Sequence, residues 1–416
     1  MNLNLNISIN RGFNLITETR PHQLPRYYLS LTNVPIGAHV AWEVARVDGR
    51  VLFSVGGRAG SQLREHPFAH GRADAPVFHG WCGTCIITAV SDGVTTSMTF
   101  YNLGVGDLTG QLKGLARKVD FGELHPVIIS QDTDEAYRTA VSTPNSYITV
   151  HPALSKAYIA LNSDVVANVE RGIFDGRGAT LFVTNHATKI EGARAHVMAY
   201  VEFCDNDVTP ETDGLTYRNF EKDAHVVALH CGFERCADGG LDVIWNNGHR
   251  VRVTIQACRF AEIDKACLID SGSAEREGGR YAAFVVDTLF DRCKQRQVMI
   301  RNGTATVVNT VIEAFGDAQG NGTALNPADG ASLYAEGCVI VPGKVGMPSW
   351  DGSPFVKPRQ SALSSKKAYV TAVDNIGCGD MGRNDAVCML GDVDIQPASM
   401  ALYRRVWRTA GHACSR

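Results

Sequence analysis

One short pattern keeps returning along this chain. His196-Val-Met-Ala-Tyr-Val-Glu-Phe203, Val226-Val-Ala-Leu-His-Cys-Gly-Phe233, Val253-Thr-Ile-Gln-Ala-Cys-Arg-Phe260, Phe284-Val-Val-Asp-Thr-Leu-Phe290, Thr306-Val-Val-Asn-Thr-Val-Ile312 and Leu333-Tyr-Ala-Glu-Gly-Cys-Val-Ile340 each end in a bulky apolar residue. The ends, 203, 233, 260, 290, 312 and 340, are 30, 27, 30, 22 and 28 residues apart. Two positions before each end stands a small or β-branched residue: Val201, Cys231, Cys258, Thr288, Thr310 and Cys338. A fixed inward slot with variable spacing predicts a solenoid whose strands stack while its loops differ. Runs of four to eight residues without intervening helices predict a parallel β-helix rather than an α/β sheet. No single coil can bury its own inner face, so neighbouring coils must cover it.

The remaining chain of 416 residues is read around that solenoid. Residues 1–110 hold short alternating runs, among them Tyr27-Tyr-Leu-Ser-Leu-Thr32 and His39-Val-Ala-Trp-Glu-Val-Ala-Arg-Val47, which predict a small β-sandwich-like domain. Residues 111–126 read as the end of a glycine-rich linker, 127–345 as the β-helix, and 346–416 as loops and short strands packing on it. Asp134-Glu-Ala-Tyr-Arg-Thr-Ala-Val141 has helical spacing with acids in its first turn, and Pro144-Asn145 stops it; it is expected to plug the open end of the core.

Forty basic against 43 acidic residues, with no basic run, argue against nucleic acid as partner. No window is apolar enough to span a membrane. The alternating N-terminus, Met1 to Asn10, reads as a strand rather than a secretory signal. Cys82-Gly-Thr-Cys85 has zinc-knuckle spacing without a second pair, and Cys204, Cys231 and Cys258, 27 residues apart, read as small buried thiols in successive coils.

Five fragments in order carry a likeness: Arg138-Thr-Ala-Val-Ser-Thr-Pro-Asn145, Ile173-Phe-Asp-Gly-Arg-Gly-Ala179, Cys236-Ala-Asp-Gly-Gly-Leu-Asp242, Asp264-Lys-Ala-Cys-Leu-Ile-Asp270 and Gln295-Arg-Gln-Val-Met-Ile-Arg301. Residues 127–345 thereby resemble the family 1 pectate lyases, an all-β fold built as a right-handed parallel β-helix. The resemblance implies cleavage of uronate-containing polysaccharides by β-elimination, with Ca2+ bridging enzyme and substrate carboxylates. It implies Asp238 and Asp242 as calcium ligands, with Asp213 a further ligand and Glu211 a fourth oxygen donor. Lys265 matches a lysine that holds a substrate carboxylate, Arg296 the catalytic base, and Arg301 an arginine that supports the site or binds substrate. Two positions depart from the family: Val298 stands where proline is usual, and Leu229, before His230, where aspartate is common.

A β-helix behind an extra N-terminal module is similar in organisation to bacteriophage tailspikes. That likeness implies a virion-associated or lysis-released protein docking to other virion proteins through residues 1–110. The expected partner is an acidic polysaccharide of a cell surface or wall, and a homotrimer is a further expectation. The competing expectation is a non-catalytic glycan-binding or structural virion protein on the same scaffold, since fold does not fix function.

Overall fold

The computed structural model describes residues 6–11, 27–32, 39–46, 51–58, 72–75, 83–91 and 94–102 of the N-terminal part. It also describes 108–411 apart from 123, 151–153, 155, 178, 207–209, 211, 271–279, 316–323, 343–368, 377–380 and 383–392. Glu211 and the side chains of the Cys82/Cys85 pair lie outside the described residues.

From His125 onward the backbone winds as a right-handed parallel β-helix. Three sheets of eight, seven and eleven strands run its length, and all their neighbours pair in parallel except Met381–Gly382, which closes the eleven-stranded sheet antiparallel. The recurrent sequence ends fall into one lateral column of the eight-stranded sheet: Phe203 pairs with Phe233, Phe233 with Phe260, Phe260 with Phe290, Phe290 with Ile312 and Ile312 with Ile340. Their phenyl rings stack inside the helix at 5.4, 4.6 and 4.8 Å. Each ring is covered by the coil above and below, so the column is stabilised as a stack rather than rung by rung.

The small slot before each end has a physical reason. It follows a tight corner between the eleven- and eight-stranded sheets, where Tyr200, His230, Ala257, Asp287 and Asn309 take φ between 50° and 57° and Gly337 takes 61°. The next residue is fully buried, and where it is Cys or Thr its side chain donates to a nearby carbonyl: Cys231 Sγ to Met198 O at 3.2 Å, Cys258 Sγ to Ala228 O at 3.4 Å, and Thr310 Oγ1 to Val308 O at 2.9 Å. A second left-handed residue follows the strands that end at Cys204, Glu234, Ala261 and Asp291, namely Asp205, Arg235, Glu262 and Arg292, and Ala314 takes the same conformation within the strand Val311–Phe315. The described cysteines are all free and buried. Cys204 departs from the expectation: it pairs with Glu234, and the slot in its coil belongs to Val201, so its 27-residue spacing from Cys231 is coincidental.

Helix α1 (Asp134–Val141) is capped by Thr133, whose side chain accepts from Ala136 N. Its buried residues Tyr137, Ala140 and Val141 belong to the main core, as expected of a plug. One strand, His125–Ile129, already joins the eleven-stranded sheet ahead of it. The stretch expected as linker carries two 3-10 turns, Leu108–Gln111 and Gly114–Lys118. There Leu108, Leu112, Ala116, Phe121 and Leu124 cover Tyr147, Ile173, Val197, Val227 and Leu229 on the outside of the eleven-stranded sheet. Leu229 is therefore part of an apolar seam, where the family's aspartate would be buried without water.

Beyond residue 345, strand Tyr369–Val373 extends the eleven-stranded sheet, and helix α2 (Met400–Thr409) lays Leu402 and Val406 on Leu289, Val311 and Val339 of the eight-stranded sheet. The N-terminal part pairs antiparallel, in one four-stranded and one three-stranded sheet, and the expected strands Tyr27–Thr32 and His39–Arg46 are among them.

Candidate active site

Four successive corners lead into the seven-stranded sheet, and they bring distant residues side by side. Leu215 pairs with Leu241, Gly239 with Lys265, and Lys265 bridges to Gln295. The backbone links are short: Asp238 N donates to Thr212 O at 3.2 Å, Lys265 N to Asp238 O at 3.0 Å and Cys267 N to Arg296 O at 2.8 Å. Asp213, Asp238, Lys265 and Arg296 thus occupy one edge of one sheet on four consecutive rungs, with Asp242 in the strand Gly239–Ile244 beside them.

The electrostatics of this edge are dominated by three carboxylates. Burial, and then the charge of Asp238, pushes the Asp213 carboxyl up to about 6. Asp242 is raised well above the usual range by burial and by the charges of Asp213 and Asp238, while Arg296 and Lys265 oppose the rise. Asp213 Oδ2 accepts from Thr216 Oγ1 at 3.2 Å, but its Oδ1 is buried with no hydrogen-bond partner. Gly239 makes room for this crowding: a Cβ there would lie 2.6 Å from Asp213 Oδ1 and 3.1 Å from Asp242 Oδ1.

Lys265 is ion-paired with Asp238, each side chain about 30% exposed, so its ammonium lies on an acid of the site itself. Arg296 is half-buried with a left-handed backbone, φ 55°. Arg301 lies apart from this edge, at the far end of the strand Val298–Arg301, where it donates to Asp270 at 2.5 Å with Asp329 3.5 Å away. Its partners make it a buttress between rungs. Val298 is fully buried, and its N–H donates to Ala324 O at 3.2 Å, a bond that the family's proline could not form. As the side chains stand, no group of three or more His, Cys, Asp or Glu among the described residues is placed to hold a metal ion.

Sequence reasoning passed over Thr216, Gly239 and Lys189, whose charge also bears on Asp213. The first glycine of Asp238-Gly-Gly240 was the available signal for the close approach there.

No protein-family model and no curated protein matches the chain. Solved structures do match its fold. Pectate lyase II from Xanthomonas campestris is 15% identical with a TM-score of 0.50, the match covering 72% of this chain and 98% of that one. A Bacillus subtilis pectate lyase variant is 12% identical with a TM-score of 0.51, covering 72% and 94%. A pectate lyase bound to a hexasaccharide gives the same identity, score and coverage. The chain has the pectate-lyase-like β-helix fold. Among its described residues, no helix of this pectate-lyase-like chain is long and apolar enough to cross a membrane.

Proposed function

We propose that the protein is a polysaccharide lyase cleaving uronate-containing glycans by calcium-assisted β-elimination. The observation that carries the reading is the alignment of Asp213, Asp238, Asp242, Lys265 and Arg296 along one edge of the seven-stranded sheet. The donor set fits a hard divalent cation. Burial and neighbouring carboxylate charge raise the proton affinity of Asp213 and Asp242, one buried oxygen lacks a partner, and the missing Cβ of Gly239 leaves these two acids room to meet. Asp213, Asp238 and Asp242 would hold the ion, and Glu211 belongs to the same proposal. Bound calcium supplies charge neutralisation at the substrate carboxylate, making the adjacent C–H proton removable.

The protein's own groups do the rest. Lys265 exchanges Asp238 for the substrate carboxylate and steadies the enolate-like charge as it develops. Arg296 accepts the proton, and the electron pair of the broken C–H bond expels the oxygen at the β position, leaving an unsaturated sugar. A guanidinium is protonated throughout the accessible pH range, so Arg296 must first lose its own proton to water, which the like charge of bound calcium and Lys265 beside it would favour. Arg301, tied to Asp270 and Asp329, holds the neighbouring rung in place.

The ion pair between Lys265 and Asp238 favours a second reading, a glycan-binding virion protein that keeps the scaffold without the chemistry. Incubation with polygalacturonate, alginate and capsular glycans separates the two. The lyase releases products absorbing in the near ultraviolet, a chelator stops it, and Arg296→Ala loses at least 100-fold in rate, in the range of a lost general base, with its thermal midpoint near wild type. Glycan binding without such products sinks the lyase reading. Docking to a virion through residues 1–110, release by lysis and a homotrimer belong to the same proposal, and the solution mass of the full chain tests the last.

A further inference from the structure

The outer face of the seven-stranded sheet carries a second feature, beyond the acids. Trp245 follows the strand Gly239–Ile244 and takes a left-handed backbone, φ 56°, while its N-terminal neighbours hold Asp242. Three residues along a strand place it about 10 Å from Asp242. Its carbonyl accepts from Phe220 N at 3.3 Å, which fixes the bend. The Arg218 guanidinium lies over the indole, 5.4 Å from its centre. Arg218 is itself held by Glu191, through Nε at 2.7 Å and Nη2 at 2.6 Å. The indole is therefore buttressed from one side by a clamped cation, yet it stays 37% exposed, among the few large apolar side chains that are.

An exposed tryptophan is costly in water and is ordinarily tucked against the surface. Here the side chain is held rigid and half-open beside a charged cluster, so little freedom remains to be lost when a flat apolar partner stacks on it. The apolar C–H face of a pyranose ring is such a partner.

We infer that Trp245, buttressed by Arg218 and Glu191, is a stacking platform for a uronate ring of the same chain whose cleavage is proposed at Asp213, Asp238 and Asp242. The inference rests on the lyase reading and adds to it a substrate requirement: the glycan must be long enough to reach both places. Short oligomers forfeit the platform and longer ones gain it.

The test compares wild type, Trp245→Ala and Trp245→Phe on polygalacturonate and alginate oligomers of increasing length. Trp245→Ala is expected to raise KM on the longest oligomers about tenfold, the upper range for one aromatic stack, with kcat within about twofold. Trp245→Phe restores most of the loss, and the difference disappears on the shortest oligomers that are cleaved. Tryptophan fluorescence gives a readout that needs no turnover: in Arg296→Ala, long oligomers quench it, and adding Trp245→Ala removes the quenching. Equal KM and equal quenching in wild type and Trp245→Ala overturn the platform while leaving the lyase intact. Binding and Trp245-dependent quenching without unsaturated products overturn the lyase and keep the platform. No cleavage and no binding of either polymer overturns both.

Discussion

Asp213 sets the behaviour of the site at the scale of single atoms. Its folded pKa, about 6, lies above the ordinary carboxylate value, so its ionised form is disfavoured by the fold. The sign follows: the penalty is full above about pH 6 and fades as pH falls towards 4. Asp213→Asn removes it while keeping an oxygen for Thr216 to donate to, and is expected to stabilise the metal-free protein by roughly 1–3 kcal/mol near neutral pH. Chemical denaturation without calcium measures this, and no gain would show that Asp213 is not under strain. The same proton competes with calcium, so the calcium-induced rise in thermal midpoint should shrink as pH drops below 6. That the acids, Lys265 and Arg296 share one flank was legible, because the coil rhythm sets which positions of successive rungs come together. Trp245 and Arg218 were not: an Arg and a Trp 27 positions apart form a pair only once the coil pitch is known.

Among strands and corners, the phenyl column ties the core to the site. A Cβ on Gly240 would sit 2.8 Å from the Phe260 ring, so the ring directly underlies the corner that carries Asp238 and Asp242. Phe260→Ala, in mid-column, should cost about 3–5 kcal/mol, as for other buried aromatics. It should also weaken the calcium response by loosening the Gly239–Gly240 approach. A loss under about 1 kcal/mol would mean that the column does not bear the stack. Rung spacing was readable from these bulky ends, but the corners were not. Some of the left-handed positions hold Asp205, Asp287, Asn309 and Gly337, which suit a turn, but the equivalent positions in other coils hold Tyr200, Ala257, Arg235 and Glu262, which have no turn chemistry of their own. Such residues take that conformation at a cost of about 1 kcal/mol or more each, and stacking of the adjoining strands overrides it.

Over the whole molecule, acid lability is built into the eleven-stranded sheet. His196, whose Nδ1 lies 3.0 Å from Tyr217 Oη, and His225, whose Nε2 lies 2.9 Å from Thr254 Oγ1, are each pushed down to about 4, chiefly by burial. Their folded values lie below the unfolded one near 6.5, so the stability they confer is complete above that pH and is lost as pH falls towards 4. Asp213 contributes in the opposite sense over part of that window, so the check is a difference: the thermal midpoint of His225→Gln should gain on that of the wild type as pH falls from 6.5 towards 4. The coverings of the solenoid were harder to read than the solenoid itself. Residues 108–124 and α2 pack on outer faces, and their apolar residues have meaning only against partners far away in sequence.

The two kinds of corner differ in their freedom. From Ala199 onward the chain crosses between the eleven- and eight-stranded sheets in one or two residues, as at Tyr200, His230-Cys231 and Ala257-Cys258. Between the eight- and seven-stranded sheets the crossing is long before Leu215, short before Lys265 and of middle length before Val298. Asp213, Asp238 and Arg296 stand at this second, elastic corner, with Asp242 in the strand that follows it. Chain can therefore be added or trimmed at the mouth of the candidate site, while the short corner keeps every later rung in step.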